Sequence, residues 1–189
     1  MKTSDGSFHY CFNGQAVADE KSQAVLAASL RQSPADCSAL PAMLTELAES
    51  LTAAGTDASP ATLLADAGYF FANNVQALTD ARIDPLLATG RLKHGEQPQP
   101  VPRGRIPAGL TPKQRMSRKL RTKKGKAAYA RPKAIVEPAF GQINVAQNGH
   151  QLRLRGHVKA DIEWTFHLAC RYFRKLAGSG WTTNQLAIT

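Results

Sequence analysis

The sequence predicts an α/β domain in which helices flank a mixed sheet. Alternating apolar residues near the start indicate a β-hairpin, and a helix with a 3.6-residue period follows it. Two later apolar runs, bounded by Gly and Pro, then indicate short strands separated by a second helix. With 189 residues, 43% of them hydrophobic, the chain is long enough for one domain with its own core.

The predicted hairpin covers residues 8–30. Phe8, Tyr10 and Phe12 recur at every second position, the pattern of a half-buried strand. Residues 24–27 form the return strand after a polar turn, and the Asn13-Gly14-Gln15 run indicates a bulge in the first strand.

The clearest helix is predicted over residues 36–54. Its apolar residues share one face and end before Gly55. They are Leu40, Met43, Leu44, Leu47 and Leu51. A short strand follows at residues 62–65, then a helix over 71–82 and a strand over 83–89.

Two more helices are predicted near the end of the chain. The first covers residues 134–143, although Pro138 and Gly141 weaken its middle. The second follows Gly156 and carries a wide apolar face that we expect to pack on the sheet. This face joins two stripes, one of Val158, Ile162, Phe166, Ala169, Phe173 and Leu176, the other of Trp164, Leu168 and Tyr172.

The charge distribution divides the chain. Residues 1–90 form an acidic α/β part, 91–128 a basic Pro-rich insertion, 129–177 a helical part and 178–189 a tail. Between residues 91 and 134 the sequence has 14 Lys or Arg residues and one acidic residue, Glu96. Such a segment indicates a polyanionic partner, nucleic acid first, or a solvated linker with no partner. The DNA-binding candidates within it are Arg118, Lys119, Arg121, Lys123 and Lys124.

Several other classes of protein are disfavoured. No apolar run reaches the roughly 18 residues of a membrane span, and the first residues do not resemble a signal peptide. Cys11, Cys37 and Cys170 lie far apart, so we expect reduced thiols, a cytoplasmic location and no disulfide framework. The five histidines show no zinc-like spacing.

Two carboxylates are the candidate site residues. Asp66 ends a predicted buried strand, where open α/β sheets place their ligands, and Glu137 follows the basic segment. Carboxylates of this kind hold Mg²⁺ together with substrate phosphates. The alternatives are that Asp66 caps the helix that begins near Phe70 or Phe71, and that Glu137 is a solvated helical residue.

Four segments resemble the carboxyl-terminal part of DDE transposases from bacterial insertion sequences. They are YCFNGQAVAD at residues 10–19, ADAGYF at 65–70, YARPKAIVEPAFGQI at 129–143, and LRG at 154–156 followed by Glu163 and Trp164. The four segments occur in the order of the family, and the resemblance as a whole covers most of the sequence. The resemblance implies a ribonuclease H-like catalytic domain.

The resemblance also implies residue roles. Asp66 matches the second catalytic aspartate and Glu137 the catalytic glutamate, both as metal ligands. Tyr129, Arg131 and Lys133 fall in the stretch that handles transposon-end DNA. The implied cofactor is Mg²⁺ or Mn²⁺, with two ions in the complete enzyme. The implied reaction is phosphodiester cleavage and strand transfer on transposon ends and target DNA, and the complete transposase could act as a homodimer.

The chain departs from the family pattern in three ways. We expect the strand that bears the family's first catalytic aspartate to be missing, and Asp5 and Asp19 are poor substitutes in loop or turn positions. Asn144 stands where relatives often have lysine, and Pro132 where they commonly have a basic residue. We therefore expect a truncated transposase, inactive alone. The alternatives are a non-enzymatic basic DNA-binding remnant, or a complete metal-dependent nuclease that recruits Asp5 or Asp19.

Overall fold

Two small sheets form the framework of the fold, which comes from a computed structural model. The structure describes residues 6, 7, 9–90, 100–129 and 132–179, with the backbone alone for 132–136. β1 (Asn13–Ala18) pairs antiparallel with β2 (Val25–Arg31), and β3 (Thr62–Ala65) pairs parallel with β4 (Asp84–Leu87). The α/β class is thus confirmed, but within these residues the predicted mixed sheet is divided into two separate pairs.

Six α-helices accompany the described strands. They are α1 (Leu40–Ala53), α2 (Ala72–Asp80), α3 (Pro112–Leu120), α4 (Lys123–Tyr129), α5 (Pro132–Gly141) and α6 (His157–Gly178). Short 3₁₀ helices cover Asp36–Ser38 and Ala67–Tyr69, and a π-helical segment, Gln142–Ala146, continues α5. The predicted helix over 36–54 is therefore a 3₁₀ turn followed by α1, with Gly55 at φ +69° directly after the C-cap residue Ala54.

The hairpin prediction is wrong at its start. β1 begins at Asn13, which pairs with Arg31 at the end of β2, so β2 offers no partner to residues 9–12. Tyr10 is fully exposed, and Phe8 lies outside the described residues. The predicted bulge is also misplaced, because Gly14 pairs regularly with Leu30 and the register shifts between Val17 and Ala18.

Buried apolar residues form two main clusters, one under each sheet. The cluster under β1 and β2 contains Val25, Leu30, Ala139, Ile143, Ala160, Trp164 and Leu168. The cluster under β3 and β4 contains Leu40, Leu63, Leu78, Ile83 and Leu87. Burial of these side chains removes apolar surface from water and holds each sheet against its helices.

Only one of the two α6 stripes is buried. Trp164 and Leu168 pack against the hairpin, with Tyr172 partly buried beside them. The stripe that begins at Val158 faces outward, and the exposed fraction of Phe173 is 72%. The expectation that the whole face packs on the sheet is wrong, because the described sheet beneath α6 has only two strands and covers one stripe.

The basic segment contains two short helices. Thr111 and Gln114 form a reciprocal capping box at the start of α3, and Met116 is buried. Residues 100–111 contain neither helix nor strand, and residues 91–99 lie outside the described part. Met116 therefore packs this part of the basic segment against the fold, where α3 contacts β4.

Candidate functional site

Asp66 lies at the carboxyl end of β3, as predicted. The residue is exposed, and its Oδ1 accepts a hydrogen bond from the Gly68 N–H at 2.8 Å. It therefore caps the 3₁₀ helix Ala67–Tyr69, whereas the alternative prediction had it cap the α-helix that follows. An exposed carboxylate at the end of a strand is available to a ligand while it keeps this cap.

Tyr129, a predicted DNA-binding residue, lies beside the strand that carries Asp66. Its hydroxyl donates to the Ala65 carbonyl oxygen at 3.3 Å. Burial, and then the negative charge of Asp66, raise the pKa of Tyr129 above its ordinary value. The phenol therefore stays neutral at physiological pH and can donate hydrogen bonds.

A second carboxylate, Asp36, approaches the Asp66 loop from the other side. Its Oδ1 accepts from Asn13 Nδ2 at 2.7 Å and from Gln15 Nε2 at 3.0 Å. A Cβ added to Gly68 would lie 2.6 Å from Asp36 Oδ2 and 3.2 Å from Asp66 Oδ1. A larger residue at position 68 would therefore have to displace the Asp36 carboxylate.

Buried amides hold this loop in place. The Tyr69 hydroxyl donates to Oε1 of Gln15, whose side chain is almost completely buried. Burial, followed by the charges of Asp36 and Asp66, raises the pKa of Tyr69. Asn74, also buried, donates to the carbonyl oxygens of Cys37 at 2.7 Å and Tyr69 at 2.9 Å. The loop is thus tied to both β1 and the segment before α1.

Sequence reasoning missed Asp36, Gln15 and Asn74. Asp36 is the first residue of the helix predicted over residues 36–54, and its partners lie more than 20 residues away. The available signal was Gln15, an amide side chain within the run of small and apolar residues 14–18. Burial of such a group requires a partner.

Glu137 is exposed and lies inside α5, one residue before Pro138. Two residues later, Ala139 is buried in the cluster under the hairpin, which anchors α5. Asp66 follows β3 of the other sheet, whose residues pack in the second cluster. The distance between Asp66 and Glu137 therefore depends on how the two clusters pack against each other.

The five basic candidates of α3, α4 and their junction have different surroundings. Lys119 Nζ forms an ion pair with Asp84 and donates to the Pro85 carbonyl oxygen at 2.7 Å, which ties α3 to β4. Arg118 Nη2 donates to the Gly104 carbonyl oxygen at 2.9 Å. Arg121 Nε donates to the Ser117 carbonyl oxygen at 3.3 Å.

The remaining basic candidates lie on α4 and α5 or outside the residues that the structure describes. Lys123 and Lys124 are exposed in the first turn of α4. Lys133 lies in α5, where only the backbone is described, and Arg131 is outside the described residues. Lys123 and Lys124 are therefore the candidates with the freest access to a polyanion.

A metal site is incomplete in the part of the chain that the structure describes. No group of three or more His, Cys, Asp or Glu side chains is gathered there as a metal would require. Asp19 lies in the hairpin turn, where its Oδ2 accepts from the N–H and hydroxyl of Ser22, both at 2.7 Å. Asp5 is outside the description. The described residues therefore fit only an ion held by one or two carboxylates together with substrate phosphates.

Comparison with known proteins then identifies the family. A family model described as a transposase DDE domain matches residues 2–173. The chain belongs to this family. No curated protein and no solved structure matches the chain.

Membership of the transposase DDE domain family gives the chain its broad function. The family acts in DNA transposition, its partner is DNA, and it generally uses divalent metal ions. None of the described helices is both long and apolar enough to cross a membrane.

Proposed function

We propose that this DDE domain takes part in DNA cleavage and strand transfer at transposon ends of a bacterial insertion sequence, with Asp66 and Glu137 as ligands of a divalent cation. The observation that carries the proposal is the exposed carboxylate of Asp66 at the end of β3, beside Tyr129. A bound Mg²⁺ or Mn²⁺ ion would supply charge stabilisation at the phosphodiester oxygens.

In this proposal the protein's own residues position the DNA. The Tyr129 hydroxyl is neutral and hydrogen-bonded to Ala65. In the proposed complex it lies beside the DNA backbone where that backbone passes Asp66. Lys123 and Lys124 attract phosphates electrostatically. Asp36, through Gln15 and Tyr69, keeps the Asp66 loop in one conformation.

We further propose that the two strand pairs are parts of a ribonuclease H-like mixed sheet. The antiparallel hairpin and the parallel pair β3–β4 both fit such a sheet, because it contains both kinds of pairing. A homodimer of the complete transposase and a cytoplasmic, nucleoid-associated location belong to the same proposal. We expect little cleavage by this chain alone, because its described residues gather no group of three metal-ligating side chains.

Titration of Mg²⁺ and Mn²⁺ into the protein by calorimetry tests the metal proposal. We expect weak binding that Asp66→Asn and Glu137→Gln each reduce ~10-fold or more. Asparagine is as good an N-cap as aspartate, so Asp66→Asn removes the charge while keeping the cap. The matched control is Asp57→Asn in the exposed loop before β3, which should leave binding unchanged.

A second function, a non-enzymatic DNA-binding module, is favoured by one observation. The helices α3 and α4 carry basic side chains and no acidic ones, whereas the described acids gather no complete metal site. In that case Asp66 is a cap and Glu137 a solvated residue. Equal metal affinity in Asp66→Asn, Glu137→Gln and the wild type, with DNA binding intact, would establish this function and exclude the first.

A further inference from the structure

A cavity beside α6 is lined by cationic and amide side chains. Its volume is about 240 Å³, enough for roughly eight water molecules at ~30 Å³ each. None of its described lining residues is acidic. They are Gln23, Gln142, Gln147, Arg171, Arg174 and Lys175. Three positive charges therefore meet at one concave surface without a lining carboxylate to balance them.

Arg171 is the unusual member of this set. Its exposed fraction is 2%, although arginine is almost never fully buried without a paired charge. Its Nη2 donates to the Gln23 carbonyl oxygen at 2.8 Å. Its Nε and Nη1 are buried and have no hydrogen-bond partner among the described residues. A buried guanidinium in this condition is costly, and an anion in the cavity would relieve the cost.

Gln147 adds a second unpaired donor. Its Oε1 is 3.0 Å from His167 Nδ1, which fixes the amide. The Nε2 of the same amide is buried and lacks a hydrogen-bond partner in the described structure. An oxyanion could therefore accept from a neutral amide as well as from the guanidinium. Arg174 and Lys175 are exposed and supply further positive charge to the same cavity.

We propose that this cavity is a phosphate-binding site, in which Arg171 and Gln147 bind the oxyanion and Arg174 and Lys175 attract it. A guanidinium fork matches the geometry of phosphate oxygens, and charge-assisted hydrogen bonds are the strongest that such a group makes. The phosphate belongs either to a nucleic-acid backbone or to a free phosphate compound. The proposal does not depend on Asp66 or Glu137, since neither lines the cavity.

Titration with inorganic phosphate, against sodium chloride of equal ionic strength, tests the site. Binding to the folded state should raise the melting temperature saturably. Lys175→Gln and Arg174→Gln should each weaken phosphate binding about tenfold, as expected for loss of a charged partner. Lys159→Gln, the same change of charge at an exposed position on the same helix, should have no effect.

Arg171→Met provides the sharper variant. It should abolish the phosphate-dependent rise in melting temperature, and in phosphate-free buffer it should not lower that temperature, because it removes an unpaired buried charge. Should this variant fail to fold, the Arg174 and Lys175 variants still decide the question.

Competition with a short DNA duplex identifies the source of the phosphate. If inorganic phosphate displaces the duplex, and Lys175→Gln weakens the binding of both phosphate and duplex, the site holds a backbone phosphate. If Lys175→Gln weakens only inorganic phosphate, the site holds a free phosphate compound. The proposal is overturned if phosphate raises the melting temperature no more than chloride does. It is also overturned if Lys159→Gln and Lys175→Gln weaken phosphate binding equally.

Discussion

At the scale of single residues, the Asp66 loop depends on contacts between distant parts of the chain. Asp36 accepts hydrogen bonds from Asn13 and Gln15 on β1 while its carboxylate lies against Gly68. The position of Asp66 could be predicted, because an apolar run followed by Asp and Gly is a local pattern. The role of Asp36 could not be predicted, because its hydrogen-bond partners on β1 lie more than 20 residues away in the sequence.

Replacement of Gly68 by alanine should destabilise the protein. The added Cβ would meet a carboxylate that two amides hold in place, so we expect a loss of about 1–3 kcal/mol in the free energy of unfolding. The matched control is Gly141→Ala in α5, where a Cβ meets nothing within 4 Å. Because alanine has the higher helix propensity, this variant should gain about 0.5–1 kcal/mol in the free energy of unfolding. Urea unfolding of both variants measures the difference, and a similar effect at the two positions would argue against a crowded Gly68.

At the scale of elements, α6 organises the hairpin half of the fold. Asp161 Oδ1 accepts from the Leu30 N–H at 2.9 Å, and His157 Nε2 lies 2.8 Å from the Leu30 carbonyl oxygen. Both groups lie in the first turns of α6, so this end of the helix is fixed to β2. The helix could be predicted from its period, but the buried stripe could not, because two apolar stripes were available and tertiary packing selects between them.

The Glu163 carboxylate joins α6 to the loop before it and makes stability dependent on pH. It accepts from the backbone N–H groups of Arg153, at 2.9 Å, and Leu154, at 2.8 Å, and these bonds lower the pKa of Glu163. A carboxyl with a lowered folded pKa contributes stability above its unfolded pKa, near 4.5, and loses it as the pH falls through the folded value.

Substitution of Glu163 by glutamine should therefore have a pH-dependent effect. At pH 7 we expect Glu163→Gln to be less stable than the wild type, and the difference should narrow as the pH falls below about 4.5. Denaturant unfolding at pH 7 and pH 3 measures it, with Glu49→Gln on the exposed face of α1 as control. A constant difference at both pH values would show that the bonds to the loop do not depend on the charge.

At the scale of the whole molecule, charge is separated along the chain. Residues 1–90 contain 10 acidic residues and 4 Lys or Arg, in contrast with the basic segment that follows. This separation is readable from the sequence, because charge does not depend on the fold. Which basic side chains are engaged within the protein is not readable, since Lys119 meets Asp84 only when α3 packs on β4.

DNA binding should therefore depend on salt, and Lys123 and Lys124 should carry part of that dependence. Each phosphate contact contributes about −0.9 to the slope of log K against log salt concentration, so Lys123→Gln with Lys124→Gln should reduce the slope by about 2. The control replaces Lys21 and Lys159 by glutamine, since both lysines are exposed and lie outside the basic segment. Binding of a duplex, followed by fluorescence anisotropy between 50 and 200 mM salt, gives the slopes. A wild-type slope near zero would argue against nucleic acid as the partner.

The central claim is that one divalent cation is shared by Asp66 and Glu137. Paramagnetic broadening of amide NMR signals by substoichiometric Mn²⁺ tests it most directly, because broadening reports proximity to the ion. We expect the signals of residues 66–70, of Glu137 and of residues 139–141 to broaden together and to recover together in Asp66→Asn. Broadening at only one of these segments, or broadening at both that persists in Asp66→Asn, would contradict the shared site.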